Sequence, residues 1–132
     1  MTISKGQALL IKGVIDWIED NITEPLLIDD VADKAGYTKW HFQRMFTATA
    51  GIPLQSYIRA RKLTVALHLL PKSRHSMLDF ALFFNAAHQS SFNRMFKKQF
   101  GITPSQARAG FLPPASTLQP KLEIKVVDNA YT

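Results

Sequence analysis

The stretch Phe42-Gln43-Arg44-Met45-Phe46 decides the fold, because it returns later in the chain as Phe92-Asn93-Arg94-Met95-Phe96. The pairs Gly51-Ile52 and Gly101-Ile102 follow the two copies at the same distance. Short matches arise by chance, but a pentapeptide with four identities and a matching Gly-Ile pair downstream is a much rarer event. The sequence therefore predicts that one structural unit is present twice.

The segment before each copy carries the signals of a short helix that ends in a turn. Before the first copy, apolar residues are spaced as on one helix face, at Ile28, Val31, Ala32 and Ala35. Gly36 can end this helix, because glycine adopts the left-handed conformation without strain. Asn85 stands at the corresponding place before the second copy, one position out of step. We therefore predict helix-turn-helix units at about residues 29–50 and 77–100.

Further helix signals surround the two units. The first segment has the apolar spacing of an amphipathic helix, at Ile11, Val14, Ile15, Ile18 and Ile22. Pro25 is expected to end that helix. A long helix is expected between Pro53 and Pro71, where it would link the two units. The other expected helix starts are Thr38, Ser76 and Pro104.

These signals predict an all-α fold, in which two helix-turn-helix subdomains are joined by a long linker helix, with about seven helices in total. We place the domain at about residues 8–110 and a short irregular or strand-like extension at residues 111–132. The strand-like alternation falls on Leu122, Ile124 and Val126. Since a lone strand is unstable in water, we expect that deleting residues 113–132 leaves folding nearly unchanged.

Positive charge is concentrated in the part of the chain that contains the repeat. The formal net charge is +6. Residues 1–33 hold two basic and seven acidic residues, whereas residues 34–108 hold twelve basic residues and one acid, Asp79. A concentrated basic segment attracts polyanions, of which nucleic acid is the commonest. A basic surface that only confers solubility is the alternative that charge leaves open.

Composition and motifs speak against several other classes of protein. The chain has no Cys, which excludes disulfides and thiolate metal sites. No apolar run reaches the roughly 20 residues of a membrane span. The four histidines lack metal-ligand spacing, and no glycine-rich phosphate loop is present. We therefore expect a cytoplasmic protein without enzymatic activity, cofactor or metal.

The outer face expected on the third helix fits the DNA major groove. Phe42 and Phe46 lie four apart and can face the core, whereas Trp40, Gln43 and Arg44 share a different face. Arg can bind guanine and Gln can bind adenine through paired hydrogen bonds, and Trp can pack on thymine methyl groups. The corresponding residues of the second copy are Gln89, Ser90, Asn93 and Arg94. Alternatively, Trp40 borders the core and Arg44 is a solvated charge.

Three longer stretches resemble one known family. Residues 36–46 (GYTKWHFQRMF) look like the first recognition helix of the AraC/XylS family, closest to its MarA/SoxS/Rob-like branch. Residues 57–63 (YIRARKL) and 96–104 (FKKQFGITP) resemble the linker helix and the second half of that domain. The resemblance covers about residues 8–110. It implies a monomer whose two recognition helices enter adjacent major-groove segments, about one helical turn apart.

The resemblance and the basic segment together indicate which residues contact DNA. Base contacts are expected from Trp40, Gln43, Arg44, Gln89, Ser90, Asn93 and Arg94. Phosphate contacts are expected from Thr38, Lys39, His41, Arg59, Arg61, Lys62, Lys97 and Lys98. The family further implies a sequence-specific transcriptional regulator, with an activator expected, whose partners are double-stranded DNA and RNA polymerase.

The second unit departs from the family pattern. Ala86 stands where the family has an aromatic residue, and Ala107 stands where it usually has Tyr. His88 replaces a capping Ser, and an imidazole is a poor helix N-cap. The alternative function is therefore a non-catalytic helical adaptor that binds protein instead of DNA. The extension at residues 111–132 is either the stub of an effector domain or a flexible tail.

Overall fold

The computed structural model describes residues 4–26, 28–84, 86 and 88–125. Within these residues every regular element is helical. The elements are α1 (Lys5–Asp20), α2 (Ile28–Ala35), α3 (Lys39–Ala50), α4 (Leu54–Leu69), α5 (Met77–Phe83), α6 (Gln89–Phe100), α7 (Pro104–Arg108) and a short 3₁₀ helix (Ala115–Thr117). The predicted all-α fold is confirmed, with helix-turn-helix pairs α2–α3 and α5–α6 joined by the long α4.

The chain divides into two compact units. Unit 1 contains Met1–Asn21, Leu26–Ile58 and Lys121–Thr132, and unit 2 contains Ile22–Pro25 and Arg59–Pro120. Each unit holds one helix-turn-helix pair, and α4 begins in unit 1 and continues in unit 2. Of the helices that the structure describes, none is long and apolar enough to cross a membrane.

The core of unit 1 comes from one face of each of its helices. Its buried apolar residues are Ile11, Val14, Ile15, Ile18, Ile28, Val31, Ala32, Phe42, Met45, Phe46, Leu54, Tyr57 and Ile58. The Phe46 ring packs on those of Phe42 and Tyr57, with centroid distances of 6.3 and 5.9 Å. Because Phe42 and Phe46 are four residues apart, both point to the core side of α3 and leave its other side to solvent.

Unit 2 is built around a row of aromatic rings. Phe80, Phe92, Phe96 and Phe100 are buried, and the centroids of successive rings lie 6.4, 5.8 and 4.7 Å apart. Phe84 stacks on Phe92 with a centroid distance of 5.1 Å. Phe84 therefore supplies an aromatic ring beside the turn. It lies two positions before Ala86, where the family pattern has its aromatic residue.

The first helix of each pair ends with the same backbone hydrogen bond. In unit 1 the Tyr37 N–H donates to the Ala32 carbonyl at 3.1 Å, and Gly36 between them has a φ of +78°. In unit 2 the Ala86 N–H donates to the Ala81 carbonyl, also at 3.1 Å. A bond that spans five residues in this way is characteristic of a Schellman helix end. The two turns therefore begin alike.

The end of α1 corrects one prediction from the sequence. The helix ends at Asp20 instead of Pro25, so Ile22 lies beyond it. Asn21 leaves the helical conformation, with φ −116° and ψ 23°, and its side-chain amide donates to the Trp17 carbonyl at 2.8 Å. The Asn21 N–H is shared between the carbonyls of Trp17 and Ile18, at 3.1 and 3.2 Å, as is common where an α-helix ends.

The first part of the C-terminal extension packs on unit 2. Leu118 is half-buried against the aromatic core. The Gln119 N–H donates to the Thr64 hydroxyl at 2.9 Å, and the Gln99 side chain donates to the Thr117 carbonyl at 3.3 Å. These residues contribute buried surface and hydrogen bonds to the fold, so in this part the extension is not the flexible tail that was one of the two expectations.

The second part of the extension lies against unit 1. The Lys121 ammonium is 2.6 Å from the Asp16 carboxylate, and the Leu122 N–H donates to the Tyr57 hydroxyl at 3.2 Å. Within residues 111–125 no strand forms, so in this part the extension is irregular, which is one of the two predicted alternatives. Backbone groups here bond to helix side chains instead of a partner strand. Val126 lies outside the described residues.

Candidate nucleic-acid interface

The first candidate reading helix, α3, starts at a hydroxyl cap. Thr38 has an extended backbone (φ −66°, ψ 152°), and its side-chain oxygen accepts a hydrogen bond from the His41 N–H at 3.2 Å. Such a cap satisfies one of the N–H groups that the first helical turn leaves unpaired. With Phe42 and Phe46 in the core, the predicted base contacts lie on the outer side of the helix.

Trp40 and Arg44 form a stacked pair on the outer side of α3. Trp40 is 66% exposed, and the Arg44 guanidinium carbon lies 4.7 Å from the centre of its ring. Cation–π attraction holds a guanidinium over an indole face, so the long Arg44 side chain is partly ordered before a partner binds. The pair suits a partner that offers hydrogen-bond acceptors beside apolar groups, as the edges of DNA bases do.

A shallow groove lies beside this pair. It has a volume of about 420 Å³ and is lined by Trp40, Gln43, Arg44, Thr47 and Ala48. The structure therefore brings the three predicted base contacts of α3 together and adds two residues that the sequence prediction missed. Their spacing from Trp40, seven and eight residues, is the signal that could have found them. Ala48 has no hydrogen-bonding side chain and a threonine hydroxyl prefers no particular base, so neither residue type by itself predicts a base contact.

The three predicted phosphate contacts of unit 1 lie at the start of α3. Lys39 is exposed, and its ammonium is 3.7 Å from the Asp29 carboxylate. An exposed ion pair of this kind contributes little, so a phosphate can compete for Lys39. His41 is exposed, and its ring meets that of Tyr37 edge-on at 5.1 Å. Together with Thr38 they surround a helix N-terminus, where the dipole favours an anion.

The second candidate reading helix, α6, starts without a side-chain cap. His88 is the N-cap residue, and its side chain makes no capping hydrogen bond among the residues that the structure describes. The His88 carbonyl is shared between the N–H groups of Ser91 and Phe92, at 3.1 and 3.3 Å, whereas the Thr38 carbonyl accepts from the Phe42 N–H at 2.9 Å. The first turn of α6 is therefore held less tightly than that of α3.

The outer side of α6 carries the other predicted base contacts. Gln89, Ser90, Asn93 and Arg94 are all exposed. The three phenylalanines of the same helix, Phe92, Phe96 and Phe100, are buried in the core of unit 2. As in α3, the apolar face holds the helix in place and the polar face is presented to solvent.

Four predicted phosphate contacts lie on unit 2. Lys97 and Lys98 are in the last turn of α6 and are exposed, and Arg59 is exposed on α4. Arg61 is half-buried, and its guanidinium donates to the Gln119 carbonyl at 3.0 Å. The four residues stay candidate phosphate contacts.

Lys62 is buried, and the prediction that it contacts a phosphate is corrected. Its side chain is 7% exposed. The ammonium donates to the carbonyls of Ile22, Glu24 and Phe83 at 2.7, 2.5 and 3.2 Å, which matches the three donors of a lysine. Burial lowers the pKa of Lys62 to about 8, and the charge of Glu24 acts in the opposite direction. Lys62 is thus a structural cation that joins three segments of unit 2.

Two helix-turn-helix pairs, each with a polar and basic outer face on its second helix, define a helix-turn-helix DNA-binding protein. A family model described as a helix-turn-helix domain matches residues 31–110. The chain belongs to the AraC/XylS family of transcriptional regulators, in the MarA/SoxS/Rob-like branch. It is accordingly a DNA-binding transcriptional regulator.

Curated relatives and solved structures agree with this assignment. The chain is 50% identical over 99 residues to the transposon Tn10 TetD protein of Escherichia coli (75% of this chain, 72% of that protein). It is 41% identical over 102 residues to the transcriptional activator AarP of Providencia stuartii (77% and 76%). It is 40% identical over 118 residues to the regulator Rob of Salmonella typhimurium, covering 89% of this chain and only 41% of that longer protein. An AraC-type regulator from Chromobacterium violaceum has a TM-score of 0.66 at 27% identity (80% and 95%).

Proposed function

We propose that this chain binds DNA as a monomer and reads two adjacent major-groove segments, one with α3 and one with α6. The observation that carries the proposal is that each unit presents one helix whose outer side bears side chains suited to base edges. Arg44 and Arg94 can bind guanine, and Gln43, Gln89 and Asn93 can bind adenine. Because two reading helices are present on one chain, no second copy is needed to read two segments.

Affinity comes mainly from the DNA backbone in this proposal. Five exposed or half-exposed cations supply it, namely Lys39, Arg59, Arg61, Lys97 and Lys98, while Thr38 and His41 add hydrogen bonds. Phosphate contacts of this kind set the register of the protein on the duplex, and base contacts then select the sequence. We place the DNA-binding domain from about residue 8 past residue 110, because the extension as far as residue 125 packs on the two units.

The regulator acts in the cytoplasm as an activator, with RNA polymerase as its partner and without a catalytic step, a cofactor or a metal. Support for activation is the similarity to AarP, whose name describes an activator. Transcription from a promoter that carries the bound sequence, with purified RNA polymerase, tests this point. More transcript in the presence of the chain is expected, and less transcript would contradict activation.

Selection of duplexes from a random-sequence pool tests the DNA-reading proposal. We expect enrichment of a sequence with two motifs, and one chain per duplex by sedimentation. Arg44→Ala should relax the preference within one motif and Arg94→Ala within the other. Enrichment of a single motif would show that only one helix reads bases. If no sequence is enriched, the proposal fails and the protein-binding adaptor becomes the better hypothesis.

A further inference from the structure

We infer that Thr47 and Ala48 extend the reading face of α3 and form, with the Trp40–Arg44 pair, a slot for the C5 methyl group of a thymine. This inference rests on the proposed function, because it assigns a further base contact to the same helix. Thr47 and Ala48 are exposed and line the groove of about 420 Å³ together with Trp40, Gln43 and Arg44.

The orientation of Thr47 makes one side of the groove apolar. Its hydroxyl donates to the Gln43 carbonyl at 2.9 Å and is thereby turned back toward the helix. A β-branched side chain has few rotamers in a helix, so this bond also fixes where the methyl group lies. The methyl groups of Thr47 and Ala48 are then the parts of these residues that border the groove.

The rest of the groove is lined by the Trp40–Arg44 pair and by Gln43. In the major groove a thymine presents the O4 acceptor next to its C5 methyl group. Arg44 or Gln43 can donate to O4 while the methyl group contacts Thr47 and Ala48. A cytosine presents an amino donor where thymine has O4, and it lacks the methyl group. The slot therefore selects thymine over cytosine at one position.

Thr49 provides a matched comparison on the same helix. Its hydroxyl also bonds to the carbonyl four residues earlier, that of Met45, at 3.0 Å. Thr49 is half-buried and does not line the groove. The two threonines thus make the same local bond and differ in whether they border the slot. An effect of Thr47 that arose only from helix stability should appear at Thr49 as well.

The test uses the full chain and a duplex selected from a random pool, with each thymine of the α3 motif replaced in turn by uracil, which removes only the C5 methyl group. We expect one replacement to weaken binding about fourfold, the effect of one buried methyl group. In Thr47→Ser, which keeps the hydroxyl and loses the methyl, that uracil effect should become smaller, because only Ala48 and the Trp40–Arg44 pair still border the methyl group. Thr47→Val, which keeps the methyl, should retain it, and Thr49→Ser should behave like the parent.

Two results would overturn the slot while leaving the proposed function intact. One is a selected duplex whose Kd is the same with thymine and uracil throughout the motif. The other is a uracil effect of equal size in the parent and in Thr47→Ser. A chain that selects no duplex would instead contradict the proposed function itself, and the slot with it. Thermal melting of each variant checks that α3 is still folded.

Discussion

The two recognition helices come from one repeat, yet they begin differently and end alike. Thr38 caps α3 through its hydroxyl, whereas His88 gives α6 no side-chain cap within the described residues. At the other end, Gly51 and Gly101 have φ values of +75° and +76°, and their N–H groups donate to carbonyls at 2.9 and 2.8 Å. Of the two helix ends, the start differs, and it is the end at which a side chain, and not the backbone, makes the bond.

The different starts follow from the length of the turn. Thr38 comes two positions after Gly36, whereas His88 comes three positions after Asn85. The hydrogen bond that ends the preceding helix is the same in both units, so the extra residue falls between that bond and the cap. The buried rings of α6 hold the helix despite the weaker start. The comparison teaches that a longer turn can remove the side-chain cap of a helix while the packing of that helix in the core is kept.

Deleting residues 113–132 should have the largest effect and should reach both units. Unit 2 loses the packing of Leu118 and the Gln119 bond to Thr64, and unit 1 loses the contacts of Lys121 and Leu122. We expect the free energy of unfolding to fall by about 4 kcal/mol in urea titrations. Deleting only 121–132 should cost about 1 kcal/mol, because the Lys121–Asp16 pair is exposed. Equal stability of the parent chain and the two truncated chains would show that the extension does not pack on the helices.

Lys62→Met should destabilise unit 2 more than unit 1. The three carbonyls that accept from Lys62 all belong to unit 2, and buried acceptors without a donor are costly. We expect a loss of about 3 kcal/mol. Hydrogen exchange should accelerate in α5 and α6 before it does in α2 and α3. Lys98→Met, at an exposed lysine, is the control. Equal losses in the two variants would mean that Lys62 has no structural role.

The variants Arg44→Ala and Arg94→Ala compare the two recognition helices, α3 and α6, directly. Arg44→Ala should weaken binding to a selected duplex by about 2 kcal/mol, within the usual range for a base-reading arginine. Arg94→Ala should weaken it by less, because the first turn of α6 is held less tightly and the helix is less well preorganised. The Kd values of both variants decide this. Equal or reversed losses would show that α6 reads DNA as well as α3.

His88→Ser should make the start of α6 resemble that of α3. A serine hydroxyl can accept from an N–H of the first turn, so we expect about 1 kcal/mol more stability and somewhat tighter DNA binding. Thr38→Ala is the reciprocal change and should cost a similar amount. Thermal melts and Kd values of both variants measure the effect. If His88→Ser gains no stability and binds more weakly, His88 is a DNA contact and not a defective cap.

The sequence predicted the parts of the molecule that depend on local pattern. The repeat, the glycines and the hydroxyl caps at Thr38 and Ser76 placed most helices, because each signal acts within a few residues. Lys62 was misassigned because its acceptors, such as Ile22 and Phe83, are distant in sequence. The extension was misjudged for the same reason, since its partners lie on α1, α4 and α6. Contacts between residues that are distant in the chain produce no periodic pattern in the sequence, so sequence patterns do not predict them.

A salt titration of binding to the selected duplex tests the central claim most directly. With Lys62 removed from the set, five cations remain as phosphate contacts: Lys39, Arg59, Arg61, Lys97 and Lys98. Each neutralised phosphate contributes about 0.9 to the slope, so log K against log salt should fall with a slope of about −4.5. An unrelated duplex should show a similar slope at lower affinity. A slope near zero, or equal affinity for the two duplexes, would contradict sequence-specific DNA binding by this chain.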